Sequence, residues 1–350
     1  MSDDHLNDLR DTARALLKDH RPTDSAAPDP EDTSAWNALE ELGFTSLTVP
    51  EEFGGSGGDL RAAATVVRAA ADVPGPVAEA AFLAGPALTA AGLDLPAGPV
   101  TATLGTDVTC EREGDRLLLR GTLTRVPWLR VCGYVAVVHH HDGADRVTVL
   151  PTGHLDIEPG VNLAGEARDG AVLARAEPRA SAALPQGWAD RFRLLGAAAR
   201  ASQIAAATAT LLDDTLRHAG ERVQFGRPLS RFQAVQHQIA RLAADAVTAD
   251  VAADTAVLAL TTEHTAAELA VATAKAEASA LAGRAAAIAH QVHGALGYTQ
   301  EHRLGARTRR LWSWREEFGN EHHWWDRVGR LTEGIAPWEL VTANEHRTRT

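Results

Sequence analysis

The sequence predicts a mainly helical protein interrupted by a β domain, and three observations carry that expectation. Apolar residues recur at helical spacing through Ala- and Leu-rich stretches at both ends of the chain. Between about residues 99 and 186 the texture shifts to short runs of Val, Leu and Thr closed by turn residues, which reads as strands. Beyond about residue 187 the apolar patterns lengthen enough for a helix bundle with short loops. The expected division is an N-terminal helical domain over 1–98, a middle β domain over 99–186 and a C-terminal helical bundle domain over 187–350.

In the first region helical patterns run over residues 6–17 and 36–42, and a third helix begins near Asp59 with Leu60, Ala64, Val67 and Ala70. The Gly-rich segment 53–58 lies between the second and third. No Lys-Ser/Thr follows it and no strand precedes it, so it reads as a turn rather than a phosphate loop. In the middle region the segments 116–120, 134–138 and 146–150 read as strands. His139, His140 and His141 precede Asp142-Gly143, a strong hairpin-turn signal. Adjacent strand residues point to opposite faces, so three consecutive His do not share one metal, and a solvated turn is expected. In the last region long helices are expected over 192–222, 230–260 and 266–293. Gly226 and Pro228 break the first from the second, and Ser230 is a candidate cap.

Bulk properties narrow the function. A chain of 350 residues with 45% hydrophobic and 23% charged residues buries a large core in two or three domains. The formal charge of −12 argues against nucleic acid as a partner. No apolar run reaches the roughly 18 residues of a membrane span, and the acidic N-terminus lacks the order of a signal peptide. Cys110 and Cys132 follow no metal-ligand spacing and read as thiols in a reducing compartment, so a cytoplasmic location is expected. His322-His323 beside Glu321 lacks the i, i+4 spacing of a helix-borne site, and no metal is assigned.

The polar residues at the Gly226 break are the chemical signal. Arg222, Gln224, Arg227 and Gln233 cluster in Ala-, Leu- and Val-rich surroundings, and Arg binds phosphate or carboxylate bidentately. The string from Arg222 through Gln224-Phe225-Gly226 and Pro228-Leu229 to Phe232-Gln233 resembles the hallmark turn of the acyl-CoA dehydrogenase family. Gln291-Val292-His293-Gly294-Ala295-Leu296-Gly297-Tyr298-Thr299-Gln300-Glu301, with Arg309 further on, is similar to a second family motif. A third lies at Leu42-Gly43-Phe44 and Val49-Pro50-Glu51-Glu52-Phe53-Gly54-Gly55. The three occur in the right order over most of the chain.

The resemblance implies a β-barrel-like middle domain, a four-helix bundle and FAD between them. It implies that Arg222, Gln224 and Phe225 meet the FAD of a neighbouring subunit, with Arg222 on the diphosphate. Gln291, Gly294 and Ala295 would approach its adenosine end. The implied reaction is α,β-desaturation of an acyl-CoA or acyl-carrier-protein thioester, in which a carboxylate removes the α-proton and hydride leaves the β-carbon. The implied assembly is a homo- or hetero-oligomer with a related subunit.

The chain also departs from the family. The usual catalytic Glu falls on Phe318, and the other base position falls near Gly196-Ala197-Ala198, which holds no carboxylate. Glu317, one residue upstream, is the candidate base after a one-residue shift. The alternative is that Glu316 and Glu317 face solvent or pair with Arg309, Arg310 or Arg315. The family's Lys near the flavin ring is replaced by Leu123, and its aromatic residue is shifted about three residues to Trp128, behind Pro127. Trp128 either covers the ring or packs on the domain core. Two readings therefore stand beside the dehydrogenase: a catalytically silent subunit of a heteromeric acyl-CoA dehydrogenase, or a flavin-dependent monooxygenase of the same fold. Four of the eight Trp crowd into residues 311–325 and serve an interface or a core plug.

Overall fold

The computed structural model describes residues 2–21, 29–114, 116–298, 303–336 and 338–339. Helix α1 (Asp3–Leu16) is capped by the Ser2 hydroxyl, and α2 (Ser34–Glu41) buries Trp36 and Leu39. Helix α3 (Leu60–Ala69) starts where the Asp59 carboxylate accepts the Ala62 N–H at 2.9 Å. The segment that follows runs from α4 (Val77–Glu79) through a π-turn over Ala80–Ala84 into α5 (Gly85–Ala90), and it is nearly all buried. Phe82, fully buried there, contributes about 2–3 kcal/mol by leaving water. The loop at 54–58 joins the first turns to α3. Gly55 is required in it because a Cβ would lie 2.0 Å from the Val49 carbonyl oxygen.

The middle domain consists of two four-stranded sheets. One has the order β1-β4-β5-β8, with β1 (Val100–Leu104) parallel to β4 (Tyr134–His141), followed by β5 (Ala144–Pro151) and β8 (Ala180–Ala183). The other has the order β2-β3-β7-β6, from β2 (Asp107–Glu113), β3 (Arg116–Pro127), β6 (Asp156–Glu158) and β7 (Arg168–Ala176). Leu119, Leu123, Val126 and Leu173 of the second sheet meet Val135, Val137 and Leu150 of the first in one apolar core.

Strand β4 extends through His141, so the turn is Asp142-Gly143 alone, both with positive φ. His139 points inward and meets the Thr148 hydroxyl at 2.8 Å, while His140 is exposed. Burial pulls the His139 pKa down to about 4. Both cysteines are free thiols, and burial raises the pKa of each.

The C-terminal region holds three long helices, α6 (Trp188–Glu221), α7 (Gln233–Thr261) and α8 (Ala267–His293). The shorter α9 (Leu304–Glu316) and α10 (Glu321–Leu331) pack against α8. A two-residue hairpin, β9 (Val223–Gln224) and β10 (Arg227–Pro228), joins α6 to α7. Ser230 is not the cap of α7. It lies in a 3₁₀ turn, the helix begins after Phe232, and the Ser230 carbonyl accepts the Gln236 side chain at 2.9 Å. Of the Trp-rich segment, Trp314 and Trp324 are buried while Trp312 and Trp325 stay partly exposed. Among the described residues no helix is long and apolar enough to cross a membrane.

Candidate functional site

A cleft of about 290 Å³ opens where the β domain meets the bundle. Ala102, Thr103 and Leu104 of β1, with Arg125 and Pro127 of β3, form one wall. Phe192 of α6 and the turn Glu316–Phe318 after α9 form the other, and Arg168 lines the floor. Glu317 thus reaches the cleft, but its carboxylate is taken. Arg168 donates Nε to Oε1 at 2.8 Å and Nη2 to Oε2 at 3.0 Å. Arg200 donates Nε to Oε2 at 2.6 Å, and the Asn162 amide donates to Oε1 at 3.2 Å. Burial by itself would raise the Glu317 pKa, but Arg168 and Arg200 bring it down to about 2. A carboxylate so held is a weak proton acceptor at neutral pH.

The ion pairs continue away from the cleft. Arg200 donates Nη2 to Glu79 at 2.5 Å, and Arg168 donates Nη2 to Glu166 at 3.1 Å. Glu166 also accepts Trp314 Nε1 at 3.0 Å and lies 3.5 Å from Arg310 Nε. Three guanidinia therefore meet three buried carboxylates, drawn from the N-terminal helices, the β domain and the bundle. Such a network is costly to desolvate, and removing one member is costlier still.

The turn carrying Glu317 and Phe318 is pinned from below. Lys275 of α8 is fully buried, and its three ammonium hydrogens go to Ser279 Oγ at 2.8 Å, the Arg315 carbonyl at 2.9 Å and the Gly319 carbonyl at 2.6 Å. Burial pulls its pKa down to about 7, against the nearby Glu317 charge. Trp324 Nε1 adds a bond to the Phe318 carbonyl at 2.9 Å. Phe318 itself has a left-handed φ of 55°. Its ring lies over Gly196, where a Cβ would come within 2.3 Å of it. Phe318 thus packs on the stretch at Gly196 near which the resembled family's other base position falls, and neither place holds a carboxylate.

The other predicted residues separate into two groups. Trp128 is 3% exposed and packs with Cys132 and Ala167 inside the β domain. Its neighbour Pro127 lines the cleft and offers no N–H. Arg222, Gln224 and Phe225 lie on the exposed hairpin at the end of α6, where Phe225 is 91% exposed with φ 51°. Gln291, Gly294 and Ala295 are exposed at the end of α8. Gly294, at φ 61° and ψ −145°, adopts a backbone conformation that L side chains rarely take. His218 near the end of α6 stacks on His293 at 4.3 Å, which brings the two exposed segments to the same end of the bundle. Thr299, Gln300 and Glu301 of the second motif lie outside the described residues.

Residues 3–94 match the acyl-CoA dehydrogenase N-terminal domain, and residues 191–330 match the acyl-CoA dehydrogenase C-terminal domain. The chain belongs to the acyl-CoA dehydrogenase family. It is 32% identical over 304 residues to acyl-CoA dehydrogenase IpdE2 of Mycolicibacterium smegmatis, covering 84% of this chain and 88% of that one. The IpdE2 of Mycobacterium tuberculosis is also 32% identical, over 319 residues that cover 84% of this chain and 86% of the relative.

Among solved structures, a chain of the ChsE4-ChsE5 complex from Mycobacterium tuberculosis superposes with TM-score 0.85 at 21% identity, covering 96% of this chain and 99% of that one. The Tcur3481-Tcur3483 steroid ACAD gives 0.79 at 21%, with 94% and 97% covered. Butyryl-CoA dehydrogenase from Megasphaera elsdenii gives 0.84 at 18%, with 95% and 98% covered. At these identities the structures establish a shared fold. This acyl-CoA dehydrogenase family member is thus a protein of an FAD-dependent oxidoreductase family whose cleft carries a paired carboxylate at Glu317 and Phe at the adjoining position.

Sequence reasoning missed Arg168, Arg200, Glu79, Glu166 and Lys275. Three of them carried a readable signal. Glu79 and Arg200 each stand alone in an Ala-rich run, and Lys275 has only Glu277 beside it in another; a charge on an apolar face must find a partner. Which partner they find depends on contacts between segments more than 100 residues apart, as for Arg200 with Glu317 and with Glu79.

Proposed function

We propose that this chain is a subunit of an FAD-dependent acyl-CoA dehydrogenase, in which it lends half of an FAD site to a related partner subunit. In this reading α,β-desaturation of the acyl thioester takes place in the partner's cleft, with the base supplied by the partner. The observation that carries it is the state of Glu317: both of its oxygens are bonded to buried Arg168 and Arg200. The carboxylate then serves as an ion-pair partner and not as a proton acceptor.

The fit of FAD to this chain divides in two. The exposed Arg222 guanidinium and the Gly294 backbone at φ 61° suit a diphosphate and a close adenosine approach, and no described carboxylate pairs with Arg222. The chain's own cleft suits the flavin ring poorly, since Pro127 lacks a donor and Trp128 is buried. FAD, when bound, supplies the hydride acceptor. The tasks of this chain's residues are to neutralise phosphate charge through Arg222, to bond through Gln224 and Gln291, and to cover the site through Phe225. A charge-assisted bond from Arg222 is worth roughly 1.5–3 kcal/mol. The ChsE4-ChsE5 and Tcur3481-Tcur3483 structures are each named for two different chains, which is consistent with such a pairing.

The test is purification of the chain alone and with a coexpressed related subunit. The reading expects the isolated chain to be colourless, and the pair to be yellow and bleached by an acyl-CoA under anaerobic conditions. An isolated chain that binds FAD and is bleached by acyl-CoA, with loss of bleaching in Glu317→Gln, overturns it and restores Glu317 as the base.

A further inference from the structure

The cleft between the β domain and the bundle has a feature that the half-site reading leaves unused. Along β3 and β7 the pairing runs Leu123 with Ala171 and then Val126 with Asp169, so β3 carries one extra residue in a bulge at Thr124-Arg125. Arg125 sits there at φ 54°, a left-handed conformation that a side chain other than Gly, Asn or Asp adopts at a cost. Bulges of this kind re-aim a side chain and are common beside functional clefts. Here Arg125 lines the cleft mouth.

The buried charges at the cleft floor are paired with one another. Arg168 at the floor is held by Glu166 and Glu317. Glu316, also in the lining, lies 3.0 Å from Arg315 Nε, a guanidinium it shares with Glu321, and accepts the Asn320 amide at 3.1 Å. Arg125 makes no ion pair with any described residue. The remaining wall is largely apolar, with Ala102, Leu104, Pro127, Phe192 and Phe318. The cleft thus combines an apolar interior, a neutralised floor and one unneutralised guanidinium at its mouth. Its volume of about 290 Å³ leaves room for a small organic ligand.

We propose that this chain's own cleft binds a small organic monocarboxylate, with the hydrocarbon part between Leu104, Phe192 and Phe318 and the carboxylate on Arg125. The site is distinct from the exposed Arg222 hairpin, so it stands or falls separately from the half-site reading.

The test uses the full chain with octanoate and its neutral isostere octanamide, followed by ligand-observed NMR and calorimetry. The expected result is a dissociation constant in the millimolar range or tighter for octanoate and about tenfold weaker binding of octanamide. The preference should shrink as salt rises, since the cation is exposed. Arg125→Gln should bind the two ligands equally while Arg222→Gln keeps the preference. Leu104→Trp, which fills the cleft wall, should weaken both. Equal binding of both ligands by the wild-type chain, or a preference retained in Arg125→Gln, overturns the proposal. Binding unaffected by Leu104→Trp overturns it as well. None of these outcomes alters whether FAD is retained by a coexpressed pair, which reads the Arg222 hairpin instead.

Discussion

The two ends of this molecule's chemistry treat charge in opposite ways. At the bundle end, Arg222 stands on an exposed hairpin beside a 91% exposed Phe225, with Gln291 and Gly294 exposed nearby. At the cleft, Arg168, Arg200, Glu79, Glu166 and Glu317 are almost wholly withdrawn from water and bonded to one another. An exposed guanidinium costs the fold little and keeps its donors for a ligand. A buried one is committed to its carboxylate partners, and most of its donors serve the fold. Residues of the same type are therefore open to solvent in one place and structural links between domains in the other.

Breaking the buried side should have the largest effect. Arg200→Met leaves Glu79 and Glu317 short of a partner, and a loss of about 3–5 kcal/mol is expected in chemical denaturation. A loss below about 1 kcal/mol would mean that the network is loosely held. The acid limb of stability is the next lever. Glu317 has a folded pKa of about 2, below its ordinary value of 4.5. Its contribution is therefore present above pH 4.5 and is lost as pH falls toward 2. This amounts to roughly 3 kcal/mol, seen as a steep fall in unfolding free energy across that window. In Glu317→Gln the slope between pH 4.5 and 2 should flatten.

Lys275→Met removes the donor from two backbone carbonyls and one hydroxyl, at about 2–3 kcal/mol. It should also shift the fluorescence of Trp324, whose indole bonds the pinned turn. Gly196→Ala pushes a methyl into the Phe318 ring, which costs about 1–3 kcal/mol by overpacking. The double variant with Phe318→Leu should recover most of that, and additive losses would separate the two positions. On the exposed side, Arg222→Ala should change the stability of the isolated chain by less than about 0.5 kcal/mol. The same change should release FAD from the coexpressed pair, and retention of flavin there would move the binding role elsewhere.

Much of the fold was legible because it rests on local pattern. The helix start near Asp59, the Asp142-Gly143 turn and the three long bundle helices follow from residue spacing alone. Ser230 shows the limit. A good capping residue stood at a plausible start, but the turn through Pro228 and Leu229 carried the chain two residues further before α7 began. The segment 77–90 was equally hard to anticipate, because a π-turn and Pro86 interrupt its period while tertiary burial holds it.

The sequence by itself determined the family, the order of helical and β regions, and the absence of a carboxylate at position 318. Spacing and side-chain chemistry are properties of the chain, so these needed no coordinates. Only the tertiary structure decided what Glu317 does. Its environment is made by Arg168, Arg200 and Asn162, each more than 100 residues away along the chain. A carboxylate's proton affinity is set by the charges within a few ångströms of it, and those neighbours are assigned by packing between domains, not by the residues beside it in sequence.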